Sequence, residues 1–183
     1  VTRRRDDVED VELLGGVEQR ELFLVAHDPA WVSLYAEHEA RVRRALGATA
    51  VQVEHIGSTA VPGLAAKPII DILVTVHDIV AEEDYLEPLI AAGYVLRVRE
   101  PGHRLVRTAQ RDVHVHVLAD DDPAADAYLL LRDRLRTDPA DRDLYETTKR
   151  DLLTRDWPDM NAYAEAKSDV IEQIMQRAGS AAS

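Results

Sequence analysis

The chain alternates between stretches with a two-residue apolar rhythm and stretches with helical spacing, and the order of these stretches outlines a fold. Asp28-Pro29 marks a helix start, with Asp28 as N-cap and Pro29 at the first helical position. Trp31, Leu34, Tyr35, His38, Val42 and Leu46 then recur at helical spacing up to Gly47. Before this helix, "ELFLVA" (Glu21 to Ala26) has the composition of a short strand. After it, Val51, Val53 and His55 alternate with Gln52, Glu54 and Ile56. Ile69 to Val76 is nearly continuous in apolar residues, as expected of a central strand covered on both faces. A helix over 79–92 closed by Gly93, a strand from Tyr94 to Val98, and a hairpin of His103–Thr108 with Asp112–Ala119 follow. From Asp122-Pro123 onward the spacing is helical, with breaks at Asp138-Pro139 and Trp157-Pro158 that divide it into three helices. "ADDDP" (Ala119 to Pro123) is best explained as a helix N-cap at Asp122 with favourable acidic neighbours.

This order predicts an α+β protein: a mixed sheet with flanking helices and a helical C-terminal part. Residues 1–20, charged and without periodicity, are expected to form a mobile N-terminal arm. Residues 21–178 are expected to form one domain, with a sheet core to about residue 121 and a helical part over 122–178, and "GSAAS" as a frayed tail. The 183 residues suffice to bury a core. Lys and Arg number 22 against 34 Asp and Glu, a formal charge of -12, which disfavours nucleic acid as a partner but not a small phosphorylated ligand held by a local basic cluster. The absence of cysteine rules out disulfides and thiolate metal sites. With no membrane-length apolar run and no signal-peptide pattern, the expectation is a cytoplasmic protein with no membrane partner.

Candidate chemistry centres on "VEHIGSTAVPGLAAKPIIDILV" (Val53 to Val74), where a carboxylate interrupts a buried strand. Alternation sets Asp71 opposite the aliphatic face of Ile70, Ile72 and Val74, and sets His114 and His116 opposite Val113, Val115 and Val117. If both strands share one sheet, Asp71 lies on the face of His114 and His116. A buried carboxylate needs a cation beside it. The two imidazoles and a metal ion are candidates; a local basic group, or exposure on an open face, is the plainer alternative. Gly57-Ser58 is a turn that lets backbone approach a phosphate, with the Ser58 hydroxyl as donor, although such dipeptides also mark plain turns.

Other candidates carry two readings each. His55 is either a ligand or catalytic group, or a structural histidine bonding the turn. Glu54 is a base or a surface acid, and Lys67 a phosphate contact or a solvated lysine. Arg132 and Arg136 share a helix face, and Lys149 and Lys167 each follow a tyrosine by four. Together these form either a basic wall closing over a triphosphate, with Tyr145 or Tyr163 stacking on a base, or an internal network with acids such as Asp133 and Asp169.

"EHIGSTAVPGLAAKPIIDILV" closely resembles the signature of the GrpB family, a branch of the nucleotidyltransferase superfamily, with Gly57, Ser58, Pro62, Gly63, Lys67, Pro68 and Asp71 in place. "HDPAWVSLYAEHEARV" is similar to the family's N-terminal helix, "DVHVHV" to its His-x-His strand, and "LRDRLRTDP" to a later helix start. The Tyr145–Lys149 and Tyr163–Lys167 pairs match its helical tail, so the resemblance covers roughly residues 21 to 178. It implies a nucleotidyltransferase-like core in which Gly57 and Ser58 contact nucleotide phosphates and carboxylates in an Asp-x-Asp pattern, with a third on a later strand, carry Mg²⁺. Actinobacterial relatives that fuse this domain to a dephospho-coenzyme A kinase suggest nucleotide or coenzyme metabolism.

The chain departs from the superfamily pattern at two places. Leu73 fills the second carboxylate position, and His114 or His116 stands where the third is expected. Two ions ~3.5–4 Å apart need bridging carboxylates. A single ion on Asp71, His114 and His116 is the arrangement left open, and imidazole favours Zn²⁺, Mn²⁺ or Fe²⁺ over Mg²⁺. The expected function is a metal-assisted nucleotidyltransferase acting on a nucleoside triphosphate and a small-molecule acceptor. A degenerate nucleotide- or anion-binding module and another metal-dependent enzyme built on the histidines are the alternatives.

Overall fold

Six strands pair into one mixed sheet in the computed structural model, which describes residues 6–18, 21, 23–158 and 160–181. In chain order the elements are β1 (Glu12–Leu13), α1 (Ala30–Leu46), β2 (Gln52–Ile56), β3 (Ile70–Val76), α2 (Glu82–Ala91), β4 (Tyr94–Glu100), β5 (His103–Thr108), β6 (Val113–Ala119), α3 (Pro123–Thr137), α4 (Pro139–Leu153), α5 (Met160–Ala166) and α6 (Ser168–Ala181). The sheet order is β1-β4-β5-β6-β3-β2, with β3 and β6 parallel and every other pair antiparallel. The expected α+β architecture is therefore present.

The aliphatic faces behave as alternation requires. Ile70, Ile72, Val74 and Val76 of β3 join Val113, Val115 and Val117 of β6, with Val106 of β5, in a core closed by Trp31, Val42 and Leu46 of α1 and Tyr85 and Leu89 of α2. The opposite face is covered by the C-terminal helices. Leu73, Ile56 and Leu118 meet Ala125 of α3 there, while Val61, Leu64, Leu135, Tyr145, Val170 and Ile174 form a separate cluster. The central strand is apolar on both faces because both are covered.

Local signals explain most boundaries. The Asp28 carboxylate accepts from Ala30 N–H at 2.8 Å, and Asp122 accepts from Ala124 N–H at 2.8 Å. Asp138 ends α3 and caps α4, accepting from Asp141 N–H at 3.0 Å. The last stretch breaks once more than expected, at Lys167 between α5 and α6. Helix α6 runs through Gly179–Ala181 of the segment read as a tail; residues 182–183 lie outside the described residues. "ELFLVA" contributes a single bridge, Val25 with Ala66, and its Leu22 lies outside the described residues. No helix among the described residues is long and apolar enough to cross a membrane.

Residues 6–18, expected to belong to a mobile arm, run along the β4 edge. Residues 1–5 and 19–20 lie outside the described residues. The physical reason is a match of charge that periodicity does not register. Asp7, Glu12 and Glu18 meet arginines of β4 and β5: Arg104 at 2.5 Å, Arg99 at 2.7 Å and Arg107 at 2.7 Å. Arg97 donates to the carbonyls of Leu14 and Gly16. Arg104 is only 2% exposed and also bonds Glu82 at 2.6 Å, so its charge depends on these partners. Burial alone would raise the Asp7 carboxyl, but the Gly102 N–H and Arg104 outweigh it and hold it below the ordinary range. Asp7→Ala is expected to cost about 1.5–3 kcal/mol, the range for hydrogen bonds to charged groups, in urea unfolding near pH 7. Because the folded carboxyl is depressed, that contribution is complete above the unfolded value and fades as pH falls through the folded one.

Candidate metal and phosphate site

The register of β3 on β6 decides the central question. Asp71 pairs with His114 and Leu73 with His116, so all four side chains point to the face covered by α3. Asp71 Oδ1 lies 3.1 Å from His116 Nε2 and 3.7 Å from His114 Nδ1. One donor atom from each of the three residues falls within 4.8 Å of the others. Donors bound at about 2.0–2.2 Å to one ion stand roughly 3–3.5 Å apart at adjacent positions, so these three residues could hold a single divalent cation once the side chains draw slightly closer. Burial raises the Asp71 carboxyl, yet the His116 hydrogen bond and the charges of His116, His114 and Lys167 outweigh it and hold the group below the ordinary carboxylate range.

The glycine-serine turn is built against this carboxylate. Gly57 has φ +72° and ψ −174°, and a Cβ there would sit 2.7 Å from Asp71 Oδ2. Across the turn, Ser58 Oγ accepts from Lys149 Nζ at 3.1 Å, and the same ammonium donates to the Ala65 carbonyl at 2.7 Å. The Tyr145 hydroxyl is hydrogen-bonded to Ser58, and Lys149 lies over the Tyr145 ring at 4.8 Å. Burial, then the charge of Lys167, pushes the Lys149 ammonium down to about 7. Lys167 sits over the Tyr163 ring at 4.8 Å, and its charge acts on both Asp71 and Lys149.

Other candidates are placed elsewhere. His55 pairs with Ile72, not Asp71, and so belongs to the opposite face of the sheet. Its ring stacks on Tyr35 at 4.6 Å and its Nε2 meets Thr59 Oγ1 at 3.1 Å. Burial, then Arg136, pushes His55 down to about 4, which favours the neutral ring. Glu54 is on the Asp71 face, but Arg132 takes it at 2.7 Å and also donates to the His55 carbonyl at 3.0 Å. Arg136 donates to the Ala60 carbonyl at 2.9 Å. Both arginines thus hold main-chain carbonyls that flank the turn. Tyr145 and Tyr163, read as stacking partners for a base, are buried. Lys67 lines a shallow pocket of about 300 Å³ with Phe23, Gln110, Arg111 and Asp112, and none of Asp71, His114 and His116 lines it. Leu73, where a second carboxylate was sought, is fully buried among Ile56, Leu118 and Ala125.

Two residues escaped the sequence reading. His103 Nε2 lies 3.1 Å from His116 Nδ1, and its Nδ1 lies 2.5 Å from Glu100 Oε1. Burial, then the neighbouring His116, pushes His103 below its ordinary value. The signal was present in "HRLVRT": alternation puts His103 on the face of Leu105, and Leu105 pairs with His116 across the hairpin.

The fold and site thus define a mixed α+β domain with an Asp-His-His cluster beside a glycine-serine turn. The family described as GrpB protein matches residues 21–177, and the chain belongs to the GrpB family. It is 60% identical to a UPF0157 protein of Streptomyces coelicolor, over 98% of this chain and 96% of that one. The solved structure of conserved protein GrpB from Enterococcus faecalis superposes with a TM-score of 0.74 at 32% identity, covering 85% of this chain and 96% of that one. A dephospho-CoA kinase of Mycolicibacterium paratuberculosis is 32% identical over 85% of this chain, which spans 45% of that protein.

Proposed function

We propose that this chain is a metal-assisted nucleotidyltransferase that moves a nucleoside monophosphate from a triphosphate to a small-molecule acceptor. The observation that carries the reading is the meeting of an Asp-His-His donor set with a serine turn backed by a buried lysine. In it Asp71, His114 and His116 hold one divalent ion, with Zn²⁺, Mn²⁺ or Fe²⁺ favoured over Mg²⁺ by the imidazoles. Such an ion, when bound, neutralises charge on phosphoryl oxygens as a Lewis acid. Gly57 lets the main chain come close to the phosphates, Ser58 donates to them, and Lys149 and Lys167 offset their charge. Catalysis of this kind is largely positioning and charge neutralisation. The dephospho-CoA kinase relative supports a setting in nucleotide or coenzyme chemistry.

Leu73 favours a second reading, a module that binds a nucleotide or related anion without transferring it. Its place is sealed by aliphatic side chains, so this face carries no acid there to bridge a second ion. Pyrophosphate release from each labelled triphosphate, with Mn²⁺, Zn²⁺ or Mg²⁺ and candidate acceptors, separates the two. Asp71→Asn is expected to lower release by more than the ~10–100-fold that follows loss of an outer partner of a metal ligand. Nucleotide binding that survives chelation, with no release under any condition, selects the binding module instead.

A further inference from the structure

Three arginines converge on one carboxylate beside the Asp-His-His cluster. Arg107 of β5 takes Glu18 with both terminal nitrogens, at 2.7 and 3.0 Å, the two-pronged grip that suits a carboxylate or a phosphate. Arg111 reaches the same carboxylate at 3.3 Å and Arg97 at 4.0 Å. Together, led by the Arg107 hydrogen bonds, they hold the Glu18 carboxyl down to about 2. Among the described residues Arg111 is the one other than glycine with a positive φ, +64°, a conformation that glycine adopts without strain. The turn before β6 thus keeps an arginine, 48% exposed, where its backbone favours glycine.

Register places this cluster beside the candidate metal site. Arg107 pairs with His114 and His114 with Asp71, so the three stand in a row on one face of β5, β6 and β3. Strands lie ~4.8 Å apart, which puts the Arg107 and Asp71 main chains about 10 Å apart. The Gly57-Ser58 turn abuts Asp71 from the β2 side, so the arginines and the serine turn flank the Asp-His-His cluster from opposite sides. Arg111 also lines the pocket of about 300 Å³ with Lys67, Phe23, Ile69 and Asp112. Ile69 and Asp112 precede Asp71 and His114 by two residues, roughly 7 Å along each strand. Phe23, 42% exposed, gives the pocket an apolar wall, and the Asp112 carboxylate accepts from the Thr108 hydroxyl at 2.6 Å. Arg97, Arg107, Arg111 and Lys67 thus face two carboxylates, Glu18 and Asp112, a local excess of positive charge in a chain of net charge -12. An ion pair that only ties down the arm needs one arginine; the surplus suits a ligand of more than one negative charge.

We propose that Arg107 and Arg111, with Lys67, form the anion-holding part of the acceptor site, that the acceptor is a small molecule bearing a carboxylate or phosphate, and that Glu18 fills the place until the acceptor displaces it. This rests on the transferase reading above and adds the class of acceptor. The anionic group is an anchor and not the reacting group. It holds the acceptor two strands away from Asp71 and leaves the rest of the molecule to face the donor phosphates.

Direct binding is measured on the full chain without metal or nucleotide. Inorganic phosphate and succinate are titrated separately at constant ionic strength, and the Nε–Hε signals of ¹⁵N-labelled arginine report on Arg107 and Arg111. Both signals are expected to shift with the probe that matches the ligand, phosphate or carboxylate. Glu18→Gln, which removes the competing charge, is expected to tighten that binding about 10-fold, the equivalent of one charge-assisted hydrogen bond. Arg111→Gly is expected to weaken it about 10-fold while leaving stability in urea equal to wild type or higher, since glycine relieves the positive φ. Neither probe bound by Glu18→Gln, affinity unchanged in both variants, or signals that follow chloride as they follow the probes, overturns the proposal. In the pyrophosphate-release assay, acceptors bearing a carboxylate or phosphate are expected to support release and their neutral analogues to fail; release driven equally by neutral acceptors overturns it as well. No release with any acceptor sinks the transferase reading alone, and tighter binding by Glu18→Gln then still supports an anion site filled by the arm.

Discussion

Replacing Gly57 with alanine is expected to lower unfolding stability by about 1–3 kcal/mol and to abolish metal binding at the Asp-His-His cluster. The backbone at φ +72° and ψ −174° lies in a region essentially confined to glycine, which accounts for the stability loss. The added methyl meets Asp71 Oδ2 at 2.7 Å and Asp71 Cβ at 3.2 Å. The second contact is with the root of a short side chain on the central strand, so rotation of the carboxylate alone does not relieve the clash. Either the turn withdraws from β3 or Asp71 leaves its place beside His116. Urea unfolding measures the first part and calorimetry with Zn²⁺ or Mn²⁺ the second. An alanine variant with wild-type stability and metal affinity would show that turn and carboxylate do not abut as described.

The second large effect is expected at Lys149. Its ammonium is 2% exposed and is pushed down to about 7, whereas an unfolded lysine keeps its proton to about 10.4. Between these values the unfolded chain binds the additional proton, so stability should rise with pH across this window and be lower at pH 7 than at pH 10. The slope approaches ~1.4 kcal/mol per pH unit at most. Lys149→Met should flatten it, while leaving the Ala65 carbonyl without its 2.7 Å donor. A bound triphosphate favours the charged amine, so nucleotide binding near pH 8 should take up a proton. Calorimetry in buffers of different ionisation enthalpy detects that proton. Lys149→Met should remove the uptake and weaken the nucleotide by about 10-fold or more, the loss of one charge-assisted hydrogen bond. Proton-neutral binding by wild type would place the phosphates away from this lysine.

The cluster of Asp71, His114 and His116 was legible because a two-residue period on two strands, each with one aliphatic face, leaves a single way to fit both to one core. The same reasoning could not place His55. Its face relative to Asp71 depends on the β2–β3 register, and pairing of Ile56 with Asp71 sends His55 to the other side. Helical spacing put Tyr145 and Lys149 together correctly but could not show that the ring was buried, because that depends on α6 packing over α4. Arg132 and Arg136 were open to either reading, basic wall or internal network, because the partners Glu54 and Ala60 lie more than seventy residues earlier. Hydrophobic patterning is likewise blind to the N-terminal acids, whose contacts with the sheet edge are ionic.

The parallel contact between β3 and β6 also governs when the site exists. It joins Asp71 to a histidine 45 residues further along, across α2 and the β4–β5 hairpin. Closing so long a loop is a late and slow event compared with forming a hairpin. A nascent chain still lacking β6 has the glycine-serine bend and the lone acid but nothing to share a cation with. A metal that binds the finished site therefore acts chiefly on the lifetime of the native state, slowing its unfolding rather than hastening its assembly.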